Sequence, residues 1–477
     1  MIQFFNTLGG RLQEFNSILP KKVKLYTCGP TVYDFAHIGN FRTYIFEDLL
    51  KRFLLFSGYE VEHVMNITDI DDKTIQGASD RGVSLHEYTR EYTEAFFQDI
   101  KALNILKADH YPRATEHIPE MARMAKGLVD KGFAYTKDGS IYFDITRFPA
   151  YGKLSKIDPD SLIAGNRIDN DEYEKDNAHD FALWKNKKAG EPFWDTEAGS
   201  GRPGWHLECS VMSSLYLGPT FDIHCGGVDN IFPHHENEIA QSEAYNGRPF
   251  VRYWLHCHHL IVDGEKMSKS RGNCYTLQEL RNRSIDPIAL RFLLLSTHYR
   301  KNLNFSFKAL EQARSSLKRL RDFLHELRTT EFPPGENSDI ATLIRETRNR
   351  FIKGLSNDLN ISTALTAVFE MVKKCHIQHA AGALFQSDAE DLITALMDMD
   401  RVFGILHEQS GMELPAFLSA KIDARQKARE NRDFRLADEL RDELLKHGVQ
   451  LEDTKEGVRY KIVDSDRLTD PSGNPDR

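Results

Sequence analysis

The fold is decided by residues 23–67, which read VKLYTCGPTVYDFAHIGNFRTYIFEDLLKRFLLFSGYEVEHVMNI. Residues 23–28 alternate between apolar and polar side chains like a strand, and a Gly-Pro pair ends it. Apolar residues then recur every three or four positions over 41–54, as on one face of a helix, and residues 59–67 predict a second strand. A strand, a helix and a strand in this order predict parallel pairing with a right-handed crossover. The stretch is therefore typical of the start of an α/β nucleotide-binding fold.

Length and composition limit the class of protein. The chain has 477 residues, which predicts about three domains. Hydrophobic residues make up 40% of it and charged residues 28%, with no low-complexity segment, so disordered and fibrous proteins are excluded. The formal net charge of −9 gives no overall basic field for nucleic acid, although a local basic strip can still bind phosphates.

Cysteine usage and hydropathy bear on location. The six cysteines are too few and too scattered for a disulfide scaffold, and the first residues lack the features of a signal peptide. No uncharged apolar run reaches the length of about 18 residues that a membrane span needs. We therefore expect a cytoplasmic protein with no membrane partner, whose thiols are reduced and available to a metal.

The rest of the chain divides by composition. Residues 150–205 are rich in glycine, proline, aspartate and asparagine and predict an irregular insertion. Residues 253–262 predict a further strand. Long amphipathic helices are predicted over about 287–326 and 338–407, and a helix over 425–446, followed by short strands, predicts a last compact piece.

The segment His37-Ile38-Gly39-Asn40 lies where the first strand has ended and the predicted helix begins. The backbone N–H groups and the dipole of a helix N-terminus both favour phosphate. Gly39 would let a nucleotide approach the backbone, and His37 could donate a hydrogen bond to a phosphoryl oxygen. On these four residues alone, a capping loop with an incidental histidine is the better explanation.

The segment Lys266-Met267-Ser268-Lys269-Ser270 carries two ammonium groups three positions apart on a loop after a predicted strand. Two such groups can follow the moving charge of a pyrophosphate leaving group. A solvated basic loop is the alternative for this segment taken alone.

Together the two segments resemble the paired signature sequences of class I aminoacyl-tRNA synthetases. The preceding residues 28–34, CGPTVYD, make the chain similar to the cysteinyl-tRNA synthetase family in particular, which commonly has asparagine at the position of Asn40 where most of the class has a second histidine. The likeness continues to about residue 463. It implies an α/β fold: a Rossmann-like parallel-sheet catalytic domain with an insertion, followed by a helical bundle and a small C-terminal α+β anticodon-binding domain.

The resemblance also implies domain boundaries. We expect a catalytic domain at 1–285 with its insertion at about 90–205 and its signature loop at 266–270, a stem-contact and helical-bundle domain at 286–410, an anticodon-recognition domain at 411–465, and a flexible tail at 466–477.

Site residues are implied in the same way. The residues expected to bind ATP are His37, Gly39, Asn40, Lys266, Ser268 and Lys269, with His37, Lys266 and Lys269 as the catalytic groups. The residues expected near the amino-acid substrate are Gly29, Thr68, Trp205, His224 and Asp229. Trp205 could equally belong to the core, and Thr68 to a turn.

Cysteine, histidine and acidic residues in this chain are suited to a tetrahedral zinc site. His234 and Glu238 are four positions apart, so a helix would place them on one face. Spacing alone does not choose among the candidates, because competing donors are Cys225, His224, His235, Cys257 and the cluster His256, His258 and His259. The 256–259 cluster is better explained as strand residues near the nucleotide. The resemblance selects Cys28, Cys209, His234 and Glu238 as the ligands of one zinc ion.

The implied activity is charging of tRNA(Cys) with L-cysteine by a monomeric enzyme, using ATP with Mg²⁺, while zinc bonds the substrate thiolate and so excludes serine. Three other functions stay open at this point. They are an ATP-dependent cysteine ligase that acylates an amino sugar, as in mycothiol synthesis, a zinc hydrolase, and a noncatalytic RNA-binding module.

Overall fold

The computed structural model describes residues 1–157, 180–268, 271–406, 416–454 and 457–462. The chain separates into two compact units. One comprises Met1–Leu280 and Pro287–Leu406, and the other comprises Arg281–Asp286 with the described residues that follow Leu406.

Short strands and longer helices alternate in the part of the chain before residue 407. The strands are β1 (Gln3–Asn6), β2 (Arg11–Glu14), β3 (Lys22–Thr27), β4 (Glu60–Met65), β5 (Ala134–Lys137), β6 (Ser140–Phe143), β7 (Phe181–Asn186), β8 (Trp194–Thr196), β9 (Gly199–Pro203), β10 (Phe221–Gly227), β11 (Val251–Cys257), β12 (Leu260–Val262), β13 (Glu265–Lys266) and β14 (Leu303–Phe305). The helices are α1 (Ile38–Phe56), α2 (Asp72–Arg81), α3 (Leu85–Ala102), α4 (Ile118–Asp130), α5 (Trp205–Leu217), α6 (Glu236–Asn246), α7 (Leu277–Asn282), α8 (Pro287–Ser296), α9 (Phe307–Thr329), α10 (Ser338–Ser356), α11 (Ile361–Ala380) and α12 (Gln386–Phe403).

The central sheet is parallel, with the strand order β11-β10-β3-β4. Its β3-α1-β4 segment confirms the strand, helix and strand predicted over 23–67. Burial of the apolar face of α1 explains the arrangement, since Phe41, Ile45, Leu50 and Phe53 are inaccessible to solvent. The hydrophobic effect therefore holds this helix on the sheet.

The order of the strands places a switch point between β3 and β10. From β3 the chain passes through α1 to β4 on one side, while β10 and β11 lie on the other side. Parallel α/β sheets bind ligands at such a point, beyond the carboxyl ends of the strands. Cys28 and Gly29 follow β3 at this edge, so they lie where a sheet of this type binds its ligand.

The predicted irregular insertion is wrong for residues 181–203, which form three strands of an antiparallel sheet with the order β5-β6-β7-β9-β8. Two of the glycines that suggested irregularity, Gly201 and Gly204, have a packing role. A Cβ on Gly201 would lie 2.1 Å from the carbonyl oxygen of Lys185, so only glycine fits there. Phe181, Leu183 and Trp184 supply apolar core beneath the sheet.

Two further predictions need correction. The strand expected over 253–262 is divided into β11 and β12, and β12 belongs to a separate sheet with β13 and β14. The helix expected over 287–326 is divided into α8 and α9 with β14 between them, and the one expected over 338–407 contains the three helices α10 to α12. Amphipathic periodicity continues across these short breaks, so periodicity alone could not place them.

The C-terminal unit contains α13 (Ala416–Glu430), α14 (Phe434–Lys446), β15 (Val449–Thr454) and β16 (Gly457–Ile462). The single helix predicted over 425–446 is therefore wrong. Arg432 has a left-handed φ of 60°, and the Asp433 side chain accepts a hydrogen bond from Leu436 N–H as the cap of α14. β15 and β16 pair antiparallel, and Leu418, Leu444, Val449 and Leu451 form the core.

The α/β fold class is confirmed by the parallel sheet, the helices α8 to α12 and the small α+β unit that follows. Within the described ranges, no helix has both the length and the apolar character needed to cross a membrane.

Candidate active site

His37 caps the N-terminus of α1. Its ring Nδ1 accepts a hydrogen bond from Asn40 N–H at 3.2 Å, and Asn40 Oδ1 accepts one from His37 N–H at 3.1 Å. This reciprocal capping box explains an amide at position 40 in structural terms. Because Nδ1 is the acceptor, the proton of the neutral ring resides on Nε2, which is the nitrogen suited to donate to a phosphate.

The two signature segments are in contact, although Lys266 lies 226 positions after Asn40. The N–H of Ile38 donates to the carbonyl of Tyr275 at 2.9 Å. A Cβ on Gly39 would lie 2.6 Å from Cε of Met267, so glycine at this position lets the loop approach the helix. The fold thus brings together the two segments that the sequence could only pair by resemblance.

The described part of the lysine loop is ordered by Asn273. Its Oδ1 accepts a hydrogen bond from Ser268 N–H at 2.8 Å. Lys266 ends β13 and is exposed to solvent. Lys269, predicted to be catalytic, and Ser270 lie outside the described residues, so the role of Lys269 stays a prediction.

The four predicted metal ligands converge. One donor atom from each of Cys28, Cys209, His234 and Glu238 lies within 4.8 Å of all the others. Cys28 follows β3 and Cys209 lies on α5. His234 lies in the short helical segment Ile231–His235, which leads into α6, and α6 carries Glu238. His234 Nε2 lies 3.1 Å from Glu238 Oε1, as expected for two residues four positions apart on one helical face.

The electrostatics of this cluster suit a cation. The neighbouring Cys209 thiol and burial raise the pKa of Cys28 well above its usual value. Burial raises the pKa of Glu238 to about 8 and lowers the pKa of His234 to about 3. Glu238 Oε1 is buried and makes no hydrogen bond within the described residues. Two thiols, an imidazole and a carboxylate that face one another are ligand types that zinc takes, so the set fits zinc.

A second donor set overlaps the first. Cys28, His224, His235 and Glu238 also offer donor atoms within 4.8 Å of one another. His235 Nε2 lies 3.2 Å from Cys28 Sγ, and His224 Nε2 lies 3.0 Å from Glu238 Oε2. The two sets share one thiol and one carboxylate, so the histidines of the second set contact the ligands of the first.

The surroundings of the cluster include histidines whose place the sequence did not reveal. His235 Nδ1 lies 2.8 Å from His256 Nε2, and His256 Nδ1 lies 2.7 Å from Thr7 Oγ1. His256 is a strand residue, as predicted, but it faces the donor cluster through His235. Cys257, the next residue along β11, faces α1 instead and lies 3.8 Å from the carbonyl of Arg42. The two-residue alternation of a strand predicts this division of faces, but not which face meets the metal site.

The predicted substrate residues differ in their surroundings. Trp205 is half-buried and stacks on His234, with ring centroids 4.2 Å apart. Thr68 is buried and donates a hydrogen bond to Glu208 Oε2 at 2.9 Å. A Cβ on Gly29 would lie 1.7 Å from the carbonyl oxygen of Asn66, so this glycine is required where β3 and β4 end.

The other two predicted substrate residues lie at opposite extremes of burial. His224 is fully buried beneath Glu238, and Asp229 is exposed on the turn after β10. Among the described residues, neither Cys225 nor Cys257 belongs to a group of converging metal donors. Cys375 is buried in α11.

Two family models match this chain, one over its N-terminal part and one near its C-terminus. Residues 14–315 match the family model of the class I (C) tRNA synthetase catalytic domain. Residues 413–460 match the model of the cysteinyl-tRNA ligase anticodon binding domain.

Solved structures show the same fold at low sequence identity. Mycobacterium tuberculosis methionyl-tRNA synthetase in complex with methionyl-adenylate is 16% identical, with a TM-score of 0.59 over 81% of this chain and 90% of that one. A putative arginyl-tRNA synthetase from Campylobacter jejuni is 12% identical, with a TM-score of 0.55 over 82% of this chain and 94% of that one.

Curated relatives cover nearly the full length. The cysteine–tRNA ligase of Chlamydia muridarum is 49% identical over 96% of this chain and 99% of the relative. That of Solibacter usitatus is 48% identical over 96% of this chain and 99% of the relative. The chain therefore belongs to the cysteine–tRNA ligases, the class I aminoacyl-tRNA synthetases that join cysteine to its tRNA.

Proposed function

We propose that Cys28, Cys209, His234 and Glu238 hold one zinc ion, which would select cysteine by bonding the substrate thiolate. The convergence of the four donors within 4.8 Å is the observation that carries this proposal. A pocket that only fits a small side chain discriminates by about 1–3 kcal/mol per methylene, which is weak against serine. A thiol loses its proton to a metal much more readily than a hydroxyl does, so a metal–sulfur bond discriminates by chemistry instead of size.

The histidines of the second donor set would position these ligands. His224 Nε2 faces Glu238 Oε2 and His235 Nε2 faces Cys28 Sγ, so each would hold one ligand of the first set in place. Such outer partners fix the orientation of metal ligands and commonly affect affinity. We therefore assign His224 a positioning role through Glu238, in place of direct contact with cysteine.

The phosphate side of the site would act by alignment and charge. The carboxylate of cysteine is ionised at neutral pH and attacks the α-phosphorus of ATP, so the bond to pyrophosphate breaks without a general base. Nε2 of His37 would donate to a phosphoryl oxygen, while Lys266 and Lys269 would stabilise the charge that develops on pyrophosphate. Gly39 and Asn40 would present the helix N-terminus, with Ser268 in the lysine loop and Mg²⁺ accompanying ATP.

The second step transfers cysteine to tRNA(Cys). The 2′-hydroxyl of the terminal adenosine, the group that class membership implies, would attack the carbonyl carbon of the adenylate and release AMP. Trp205 is the predicted substrate residue best placed to cover the bound amino acid, because it is partly exposed beside His234. Gly29, Thr68 and Asp229 remain assigned to the surroundings of the substrate.

We assign the domains as the sequence predicts, with catalysis at 1–285, stem contact at 286–410 and anticodon recognition at 411–465. The match of residues 413–460 to an anticodon binding domain supports tRNA as the acceptor over an amino sugar. It also weighs against the zinc hydrolase, and the paired signature segments weigh against a noncatalytic RNA-binding module. We expect a cytoplasmic monomer.

The test is ATP–pyrophosphate exchange measured separately with each of the twenty amino acids, on protein whose zinc content is known. We expect exchange with cysteine and none above background with serine. Exchange with serine as fast as with cysteine would contradict the selection mechanism. Exchange with cysteine that is unchanged in fully zinc-free protein would remove the metal from the mechanism while leaving the enzyme class intact.

A further inference from the structure

A small cavity lies beneath α1, and none of the four metal donors lines it. Side chains of α1, β4 and α3 enclose it, among them Tyr44, Glu47, His63 and Phe96. The space available to the centre of a water molecule is about 10 Å³, which is room for about one water. The cavity is lined by polar as well as apolar groups, so it differs from the dry voids that purely apolar side chains enclose.

Glu47 brings a carboxyl group to this cavity without a partner. Only 1% of the residue's surface is accessible to solvent. Neither carboxyl oxygen has a hydrogen-bond partner within the described part of the chain. Lys51 follows one turn later and also lines the cavity, but its ammonium group donates to the carbonyl of Lys107 and to Asp109. Burial raises the pKa of Glu47 well above its usual value, which favours the neutral carboxyl.

His63 brings a second unpartnered group to the same cavity. Its Nδ1 is buried and has no hydrogen-bond partner among the described residues. Its Nε2 lies 2.9 Å from Oγ1 of Thr27, the last residue of β3. Buried polar atoms are almost always hydrogen-bonded, because an unsatisfied donor or acceptor is costly. Two residues with such atoms, Glu47 and His63, line one water-sized space and call for a common partner.

We propose that this cavity binds one internal water molecule, which joins the Glu47 carboxyl group on α1 to Nδ1 of His63 on β4. A carboxyl group offers both donor and acceptor positions, and an imidazole nitrogen offers one or the other, so water can satisfy both. A cation is disfavoured, since the positively charged residue Lys51 also lines the cavity.

The water would connect two parts of the active site through the interior. α1 begins at the His37 cap, and His63 contacts Thr27, which immediately precedes the metal donor Cys28. The chain of contacts from Glu47 through water, His63 and Thr27 would therefore fix the end of β3 relative to the helix that carries the phosphate-binding segment.

The first test is a crystal structure of the wild-type enzyme at a resolution that shows ordered water. We expect one water peak in the cavity, within hydrogen-bond distance of a Glu47 carboxyl oxygen and of His63 Nδ1. A dry cavity, or a Glu47 carboxyl group bonded directly to another protein group, would overturn the proposal.

The second test compares the thermal midpoints of Glu47→Gln and Glu47→Leu. The amide of Glu47→Gln keeps the hydrogen bonds to water, whereas Glu47→Leu removes them and leaves Nδ1 of His63 unpaired. We expect Glu47→Leu to melt at least about 2 °C below Glu47→Gln. If the Glu47 carboxyl were simply unsatisfied, leucine would relieve a penalty, so an equal or higher midpoint for Glu47→Leu would reject the water.

Discussion

The metal-donor side and the phosphate side of the active site differ most in burial. His234 and Glu238 are almost inaccessible to solvent, and a second layer of buried histidines contacts the donors. On the phosphate side, His37 is half-buried and Lys266 is exposed. The difference teaches that selection and reaction place opposite demands on a site. Bonding a thiolate needs donors fixed before the substrate arrives, whereas ATP and pyrophosphate must enter and leave past charged groups that water can reach.

Removal of a metal donor should have the largest effect. The change should damage the buried metal-donor side and leave the phosphate side intact. Cys209→Ser replaces a thiolate with a hydroxyl, so we expect zinc affinity to fall by more than about 100-fold, beyond the range seen when an outer partner is lost. Cysteine-dependent ATP–pyrophosphate exchange should fall with it. Zinc content after dialysis against a graded chelator, together with exchange rates, measures both.

The same variant distinguishes the two overlapping donor sets, because Cys209 belongs only to the first. Circular dichroism should show that the variant is folded. Full zinc retention by folded Cys209→Ser, with loss of zinc from His235→Gln, would assign the ion to the second set.

Removal of a phosphate-side cation should reduce the rate without affecting the metal. For Lys266→Ala we expect kcat of exchange to fall by about 100- to 1000-fold, the usual effect of losing one group that stabilises developing charge. Zinc content and the KM for cysteine should be unchanged, since Lys266 lies outside the donor cluster. Lys266→Arg keeps the charge and serves as the matched control. A parallel loss of zinc would mean that the two sides are not separate.

Loss of an outer histidine should have an intermediate effect. His224→Gln removes the imidazole beneath Glu238 Oε2, so we expect zinc affinity to fall by about 10- to 100-fold. His259→Gln is the control, because His259 is an exposed histidine outside both donor sets. Chelator competition on both variants measures the difference. Equal affinities would show that His224 does not position Glu238.

The smallest effect should come from the helix cap. Asn40→Ala removes half of the capping box, which costs about 1 kcal/mol of stability at a typical cap. We expect a lowered thermal midpoint and an exchange rate within a few-fold of wild type. Asn40→His tests the residue that most of the class carries, and a large gain in rate from it would mean that position 40 contacts ATP instead of capping α1.

Much of the fold could be predicted where local pattern and tertiary packing agree. The β3-α1-β4 unit follows from alternation and helical periodicity, and its buried face is the apolar face read from the sequence. The antiparallel strands within 181–203 could not be predicted, because Gly201 and its neighbours look like loop residues until the strand that they pack against is known. The short turn at Arg432 could not be predicted either, because helical periodicity continues on both sides of it.

The candidate site could be predicted only in part. Two signature segments and a family likeness pointed to the metal donors and to the residues expected to bind phosphate, and the donors do converge. The sequence offered His224 and His235 as competing donors, but it could not predict that they converge with Cys28 and Glu238 or that His235 contacts His256. Those contacts depend on which strand lies beside β3. Nothing in the sequence marks Glu47 or His63, because the cavity between them exists only after α1 packs on β4.

The sequence by itself determined the types of group available: two thiols, an imidazole and a carboxylate in one set, and a histidine and two lysines in the other. The sequence also predicted the strands and helices beside these groups, because alternation, helical periodicity and capping act over a few residues. The tertiary structure decided which of these groups meet, and in what surroundings. Donors up to 210 positions apart, from Cys28 to Glu238, become neighbours because parallel strands end at one edge of a sheet, and burial there sets their pKa values.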